Sequence, residues 1–155
     1  YGAEEMDARQ NGLSYVSLDG TIGCIVNGAG LSMATMDLIK YFGGSPANFL
    51  DVGGSSNPSK VLNALRIILA NRRVESVLIN IFGGITRCDD IARGILMARE
   101  KLSMGVPLVI RLIGTNEKEG RDILSTAGIA AFDDLTDAVK AVVSAARKQT
   151  TGRQA

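Results

Sequence analysis

Histidine and tryptophan are absent from this 155-residue chain, and cysteine occurs only twice. Histidine is the commonest general base and metal ligand, so its absence excludes these chemistries, and any phosphohistidine, unless another chain supplies the residue. Serine or cysteine nucleophiles activated by histidine are excluded for the same reason, and the Gly-x-x-x-x-Gly-Lys-Ser/Thr loop of nucleotide binding is missing as well. We therefore expect the chain to supply about half of the groups that a functional site needs.

The two cysteines, Cys24 and Cys88, lie far apart in the sequence and form no Cys-x-x-Cys pair. This spacing predicts neither a disulfide nor a metal centre. We expect both residues to be reduced thiols that serve as small packing groups.

No apolar run approaches the roughly 20 residues of a membrane helix, and the first residues lack the pattern of a signal peptide. The net charge is only +1, with no basic stripe, so neither nucleic acid nor a membrane is indicated as a partner. We expect an intracellular protein, cytoplasmic in a bacterium or archaeon, or in the mitochondrial matrix of a eukaryote. The chain begins with Tyr1, which is typical of a processed chain or a fragment.

Apolar runs alternate with helical patterns along a length that suits one domain. The predicted strands are 21–26, 48–52, 76–82, 107–113 and 129–132. The predicted helices are 30–42, 59–70, 88–102, 116–126 and 135–147, with Asn116 as a candidate cap. This alternation predicts an α/β fold of the flavodoxin-like type, with an open parallel five-stranded sheet in the order 2-1-3-4-5 and helices on both faces.

One further run, 14–18, precedes Asp19-Gly20, a dipeptide typical of a hairpin turn. The strand 21–26 is predicted at the centre of the sheet, where it cannot also pair fully with 14–18. Pairing where strand 21–26 projects and pairing with another domain's sheet both stay open. We expect residues 1–12 to form a linker or short helix after a missing upstream domain, 13–147 the domain, and 148–155 a polar tail.

Two glycine-rich turns flank the predicted crevice, which opens between the first and third strands at their carboxyl ends. One turn is 27–30 (Asn-Gly-Ala-Gly) and the other is 83–86 (Gly-Gly-Ile-Thr). Glycine lets a ligand approach the main chain closely, and a helix start presents free N–H groups and a positive dipole end. The turns therefore predict a site for phosphate or carboxylate, with Arg87 and Arg111 as candidate anion partners or solvated surface residues.

Other interpretations of the same turns are weighed against this one. A receiver-type signalling domain is excluded, because Asn80-Ile81-Phe82 and Asn27-Gly28 stand where acidic residues are needed. A dinucleotide-binding module stays open, because Asp51 follows Gly28 and Gly30 at about the distance of a ribose-binding acid, although Met33 replaces the third glycine. A docking module with purely structural turns also stays open, and Asn27 would then cap the helix.

Four long runs stand in a fixed order: 23–31 (GCIVNGAGL), 34–37 (ATMD), 46–54 (PANFLDVGG) and 80–89 (NIFGGITRCD). Together they resemble the C-terminal domain of the β subunit of succinyl-CoA synthetase, over about residues 13 to 143. Malate-CoA ligase and ATP-citrate lyase share this domain, so the acyl substrate stays open. Ser55 departs from the family pattern, which commonly has a third glycine after Gly53-Gly54.

The resemblance implies an acid–thiol ligase of the tricarboxylic acid cycle that works through a phosphohistidine and an acyl phosphate. It assigns the histidine and the CoA-binding domain to an α subunit, and the nucleotide to an ATP-grasp domain upstream of this chain. The whole enzyme would need ATP or GTP, Mg²⁺ and CoA. This chain would bind no cofactor or metal, contain no catalytic residue and be inactive alone.

The resemblance also implies the binding residues. Asn27, Gly84, Ile85 and Thr86 would contact the carboxylate substrate, succinate or a similar dicarboxylate. The helix start at Gly28, Ala29 and Gly30 would face the phosphohistidine of the α subunit, because N–H groups and a helix dipole stabilise a dianionic phosphate.

Overall fold

A computed structural model describes residues 2–53, 57–83, 86–103 and 105–154, with the backbone alone for 29 and 149–154. The helices are α1 (Ala3–Gln10), α2 (Ala29–Tyr41), α3 (Pro58–Leu69), α4 (Cys88–Lys101), α5 (Glu117–Thr126) and α6 (Leu135–Gln154). The strands are β1 (Ser14–Ser17), β2 (Ile22–Val26), β3 (Asn48–Asp51), β4 (Ser76–Gly83), β5 (Leu108–Gly114) and β6 (Ala131–Phe132).

The strands form one six-stranded sheet in the order β1-β3-β2-β4-β5-β6. Its five parallel strands, β3-β2-β4-β5-β6, have the order that the alternation of strands and helices predicts. The carboxyl ends of β2 and β4 lie side by side, with Val26 opposite Asn80. The flavodoxin-like arrangement is therefore confirmed, and the switch point lies between β2 and β4, where it is predicted.

The predicted strand count of five is wrong, and so is the hairpin at Asp19-Gly20. β1 pairs antiparallel with β3, from Ser14 opposite Asp51 to Ser17 opposite Asn48. β2 already has β3 and β4 as neighbours, whereas one edge of β3 is open, so β1 completes its hydrogen bonds there. The strand needs neither a projecting part of β2 nor the sheet of another domain.

Helices cover both faces of the sheet and bury two separate apolar clusters. One cluster joins the sheet to α1, α3, α4 and α5, and contains Leu65, Ile79 and Ile95. The other joins it to α2 and α6, and contains Ile39 and Leu78. Residues 76–81 of β4 are buried on both faces, as the continuous apolar run of a central parallel strand predicts.

Helix ends differ from the sequence pattern at several places. α6 continues to Gln154, beyond the predicted end at Arg147, whereas α1 is the short helix expected as one alternative for residues 1–12. Asn116 stands at the N-cap of α5 but makes no capping hydrogen bond, because its side chain donates to Asp89 Oδ1 at 3.2 Å. Within the described ranges, no helix is both long enough and apolar enough to cross a membrane.

Candidate functional site

The N-terminus of α2 opens onto the crevice without a capping side chain. Gly28 occupies the N-cap with φ of 101°, a left-handed conformation that favours glycine, and the first turn contains no acidic residue. By contrast, Asn57 caps α3, and α4 has Asp89 and Asp90 in its first turn. The first turn of α2 therefore has neither a capping side chain nor an acidic residue of its own, and the Gly28 N–H before it is bonded to Asp51.

Asn27 links the two walls of the crevice. Its Nδ2 donates to the Phe82 carbonyl at 2.9 Å and to Thr86 Oγ1 at 3.1 Å. The Phe82 N–H donates in turn to Asn27 Oδ1 at 3.0 Å. Asn27 therefore does not cap α2: its amide joins the end of β2 to the end of β4 and to the turn that follows it.

Asp51 joins the same crevice to the loop after β3. Its Oδ1 accepts the Gly28 N–H at 3.1 Å and the Gly53 N–H at 2.7 Å. In the dinucleotide interpretation this carboxylate binds a ribose, but here one of its oxygens holds two backbone turns in place. Gly53 has φ of 71°, so both of these turns depend on a glycine conformation.

Glycines leave the mouth of the crevice open. Within the described part of the chain, nothing lies within 4 Å of the position that a β-carbon would occupy at Gly28, Gly30, Gly53 or Gly83. Any of these backbones can therefore be approached closely by a ligand or a partner. A cavity of about 380 Å³ lies elsewhere and is lined by residues that include Thr21, Gly44, Glu75 and Arg147.

Asp89 organises the other wall, at the start of α4. It is 3% exposed, and its carboxylate accepts from Arg93 at 2.8 Å and from Arg87 at 3.2 Å. Burial raises the pKa of Asp89, but hydrogen bonds from Arg93, Asn116 and Arg87 outweigh burial and lower it to about 2. Asp89 is therefore charged at neutral pH, and it holds Arg87 beside the predicted 83–86 turn.

The candidate anion partner Arg111 lies on the face of the sheet that α2 covers, and it is half-buried. Its Nε donates to the Asp133 carbonyl at 2.8 Å and its Nη1 to Asn80 Oδ1 at 3.0 Å. Its guanidinium carbon lies 5.4 Å from the centre of the Phe82 ring. Arg111 is therefore built into the fold, whereas Arg87 is exposed and paired with Asp89.

Among the predicted site residues, the structure brings together Asn27, Gly28, Gly30 and Thr86, and it places the backbone of Ala29 in the first turn of α2. Gly84, Ile85 and Ser55 lie outside the described residues. Sequence reasoning missed the buried polar residues Asn80 and Thr35, whose side chains are joined at 2.8 Å. The available signal was Asn80, a polar residue inside an otherwise apolar run.

Both cysteines are free and buried, in agreement with the expected packing role. Across the described ranges, no group of three or more His, Cys, Asp or Glu side chains is placed to hold a metal ion.

This sheet order, with the ends of β2 and β4 side by side at its switch point, defines a flavodoxin-like domain. The sequence model of the CoA-ligase family matches residues 25–145, and the chain belongs to that family. It is 58% identical, over 93% of its length, to a protein of Gemmatimonas aurantiaca named succinate–CoA ligase [ADP-forming] subunit beta. It is 60% identical, over 77% of its length, to a protein of the same name from Bacteroides thetaiotaomicron.

The chain spans 38% of the length of the Gemmatimonas protein and 32% of the Bacteroides protein. Among solved structures, ATP citrate lyase from Methanothrix soehngenii matches with a TM-score of 0.78 and 19% identity, over 93% of this chain and 46% of that one. A dinucleotide-forming acetyl-coenzyme A synthetase from Ca. Korarchaeum cryptofilum matches with a TM-score of 0.66 and 16% identity, over 99% of this chain and 40% of that one. At these identities the likeness concerns the fold alone.

Proposed function

We propose that the chain is the C-terminal part of the β subunit of an ADP-forming succinate–CoA ligase, and that its crevice binds the carboxylate substrate beside a phosphate carried by the α subunit. The observation that carries the proposal is the Asn27 link, which joins the uncapped start of α2 to the Thr86 turn. A carboxylate and a phosphate that react with each other must lie side by side, and these two walls are adjacent. The 58% identity to a protein named as such a subunit supports succinate as the acid.

The carboxylate wall needs hydrogen-bond donors, because a carboxylate only accepts. Asn27 Nδ2 already donates to Phe82 and, at the longer distance of 3.1 Å, to Thr86 Oγ1. In the proposed complex a carboxylate oxygen replaces Thr86 Oγ1 as the acceptor of that N–H, and the Thr86 hydroxyl turns to donate to the same carboxylate. The predicted contacts from Gly84 and Ile85 would add donors from the backbone of the turn.

The phosphate wall is the first turn of α2. The proposed reaction forms a bond between a carboxylate oxygen and phosphorus and breaks the bond between phosphorus and the α-subunit histidine, which yields an acyl phosphate. The backbone N–H groups from Ala29 onward would stabilise the charge of the phosphoryl group as it moves. This turn contains no acidic residue of its own, and the Asp51 carboxylate accepts the Gly28 N–H immediately before it.

The remaining chemistry belongs to other parts of the proposed enzyme. ATP and Mg²⁺ would bind an upstream ATP-grasp domain, and CoA and the histidine would reside on the α subunit. The thiolate of CoA would then attack the acyl carbon and release phosphate. The chain alone would therefore form no acyl-CoA.

The proposal can be tested on the full-length β subunit assembled with its α subunit. Thr86→Val removes the hydroxyl at nearly constant volume, and we expect the KM for succinate to rise about tenfold, as for one lost hydrogen bond to a charged group. The KM for ATP should stay within about twofold of its normal value. Thr126→Val is the matched control, because Thr126 bonds only the Asp122 carbonyl at the exposed end of α5.

An unchanged succinate KM in Thr86→Val would overturn the carboxylate assignment. Titration of the chain with NAD, NADP or FMN tests the dinucleotide alternative, in which Asp51 Oδ2 would bind a ribose. Saturable micromolar binding would favour that alternative over the ligase.

A further inference from the structure

A relay of three polar side chains, Arg111, Asn80 and Thr35, runs beneath α2, on the face of the sheet opposite Asp89. Arg111 Nη1 donates to Asn80 Oδ1 at 3.0 Å, and Asn80 Nδ2 donates to Thr35 Oγ1 at 2.8 Å. Thr35 Oγ1 donates in turn to the Leu31 carbonyl at 2.6 Å. The relay therefore starts on β5, crosses β4 and ends in the first turn of α2.

The relay places polar side chains between the sheet and α2. Asn80 and Thr35 are fully buried, and each would leave a polar atom unsatisfied if its neighbour were removed. The apolar contacts of α2 lie further along the helix, where Ile39 joins the cluster shared with α6. The relay thus contacts the middle of α2 at Thr35, which bonds one turn back to Leu31, and the apolar cluster holds the C-terminal half of the helix.

Arg111 forms the outer end of the relay. Its Nε is fixed by the Asp133 carbonyl, which follows β6, and its guanidinium lies against the ring of Phe82. Phe82 is also the residue that Asn27 binds. The same strand end therefore fixes Asn27 from one side and Arg111 from the other.

We propose that Arg111, Asn80 and Thr35 are positioning residues that fix the direction of the first turn of α2 toward the transferred phosphoryl group. The inference rests on the proposed function for the identity of that group. Oriented N–H groups stabilise a transition state only while their direction is held, and small displacements are costly in rate. Thr35 bonds Asn80 and the backbone of α2, whereas Arg111 also packs against Phe82, the partner of Asn27. We therefore expect loss of the Thr35 hydroxyl to lower the rate of phosphoryl transfer and to leave the binding of the carboxylate unchanged.

The test uses the assembled complex with three variants of α2. Thr35→Val removes the hydroxyl at nearly constant volume, and we expect kcat to fall about tenfold while the KM for succinate stays within about twofold. Thr35→Ser keeps the hydroxyl and should restore kcat to within about twofold. Ile39→Val is the matched control: it weakens the apolar half of the same helix, so it should lower the unfolding temperature and leave kcat unchanged.

Hydrogen exchange of the α2 amides in the same complexes gives a readout that does not depend on turnover. Thr35→Val should speed exchange in the first two turns of α2, and Ile39→Val should not. Unchanged kcat and exchange in Thr35→Val, or an equal fall of kcat in Ile39→Val, would overturn the positioning role. If the unmodified complex forms no succinyl-CoA, the proposed function fails, and the exchange data alone then decide whether the relay holds α2.

Discussion

Asn27 and Phe82 pair through both polar atoms of the Asn27 amide, with Nδ2 donating to the Phe82 carbonyl at 2.9 Å and the Phe82 N–H donating to Oδ1 at 3.0 Å. The side chain thereby imitates the backbone of a neighbouring strand, and it extends the pairing of β2 and β4 beyond Val26 and Asn80. The turn after β2 and the turn after β4 are therefore held at a fixed spacing.

Replacing Asn27 by Ala in the full complex should lower kcat/KM for succinate at least tenfold. The variant loses both the proposed contact with the carboxylate and the link to Phe82 and Thr86, each worth about 1 kcal/mol or more. Steady-state kinetics with varied succinate measure the effect. Asn63→Ala is the control, because Asn63 bonds Asn11 at 3.1 Å, away from the crevice. Normal turnover in Asn27→Ala would instead favour a docking domain with purely structural turns.

Gly30→Ala should raise the stability of the protein and lower its activity. The space beside Gly30 is open among the described residues, and alanine is favoured over glycine in a helix by about 0.5–1 kcal/mol, so the unfolding temperature should rise. The added methyl group stands at the helix start proposed to face the phosphate, so turnover should fall. Thermal unfolding and ligase assays of one preparation measure both changes.

Gly94→Ala is the comparison for that variant, because Gly94 also lies inside a helix. A β-carbon there would approach Val61 Cβ to 2.6 Å and the Pro58 carbonyl oxygen to 2.7 Å. We expect a loss of about 1–3 kcal/mol of stability from this overpacking. A loss of stability in both variants would contradict the open space beside Gly30.

Asp89 should contribute to the loss of folding stability at acid pH. Its pKa is lowered from 3.8 to about 2, so its stabilising effect is complete above about pH 4 and is lost as the pH falls toward 2. Asp89→Asn should lower the free energy of unfolding at pH 7 by about 1–3 kcal/mol and flatten the decline below pH 4. Urea unfolding at several pH values measures both effects.

The matched control for Asp89 is Asp122→Asn, which removes an exposed ion pair with Lys118 on α5. Such pairs contribute little, so its stability at pH 7 should change by less than about 0.5 kcal/mol. Parallel acid profiles of the wild type and Asp89→Asn would show that other carboxylates cause the decline.

The thiols should be unreactive in the folded protein. Burial raises the pKa of Cys24 to about 12, and burial with the nearby Glu117 and Asp89 raises the pKa of Cys88 to about 11. Neither thiol is then ionised or accessible at pH 8. A chromogenic disulfide reagent should detect almost no thiol in the native chain and two per chain in urea. Rapid reaction of the native chain would contradict the buried positions.

The sequence was sufficient for the parallel part of the fold because its signals are local. Apolar runs such as 76–82, followed by glycine turns and amphipathic segments, specify strand–turn–helix units, and the handedness of crossovers limits their order. The partner of β1 was not predictable in this way. It depends on which strand edge stays open after the other strands have paired, and the Asp19-Gly20 dipeptide indicated a different partner.

The candidate site could likewise be predicted only in part from the sequence. The glycine turns and their meeting at one crevice follow from the topology, and the roles assigned to Asn27 and Thr86 came from a family resemblance. The relay through Arg111, Asn80 and Thr35 could not be predicted, because it depends on the register that sets Asn80 opposite Arg111. The partners of Asp51 and Asp89 likewise follow only from packing in three dimensions.

The antiparallel strand β1 also covers an edge of the sheet that could otherwise pair with another copy of the chain. Without it, the backbone N–H and C=O groups of Phe49 and Asp51 would form a bare strand edge, which is a template for intermolecular pairing. β1 replaces this edge with one of only four residues, bordered by the exposed serines Ser14 and Ser17. Deleting residues 2–18 should therefore make the chain aggregate through its sheet more readily than the intact chain does.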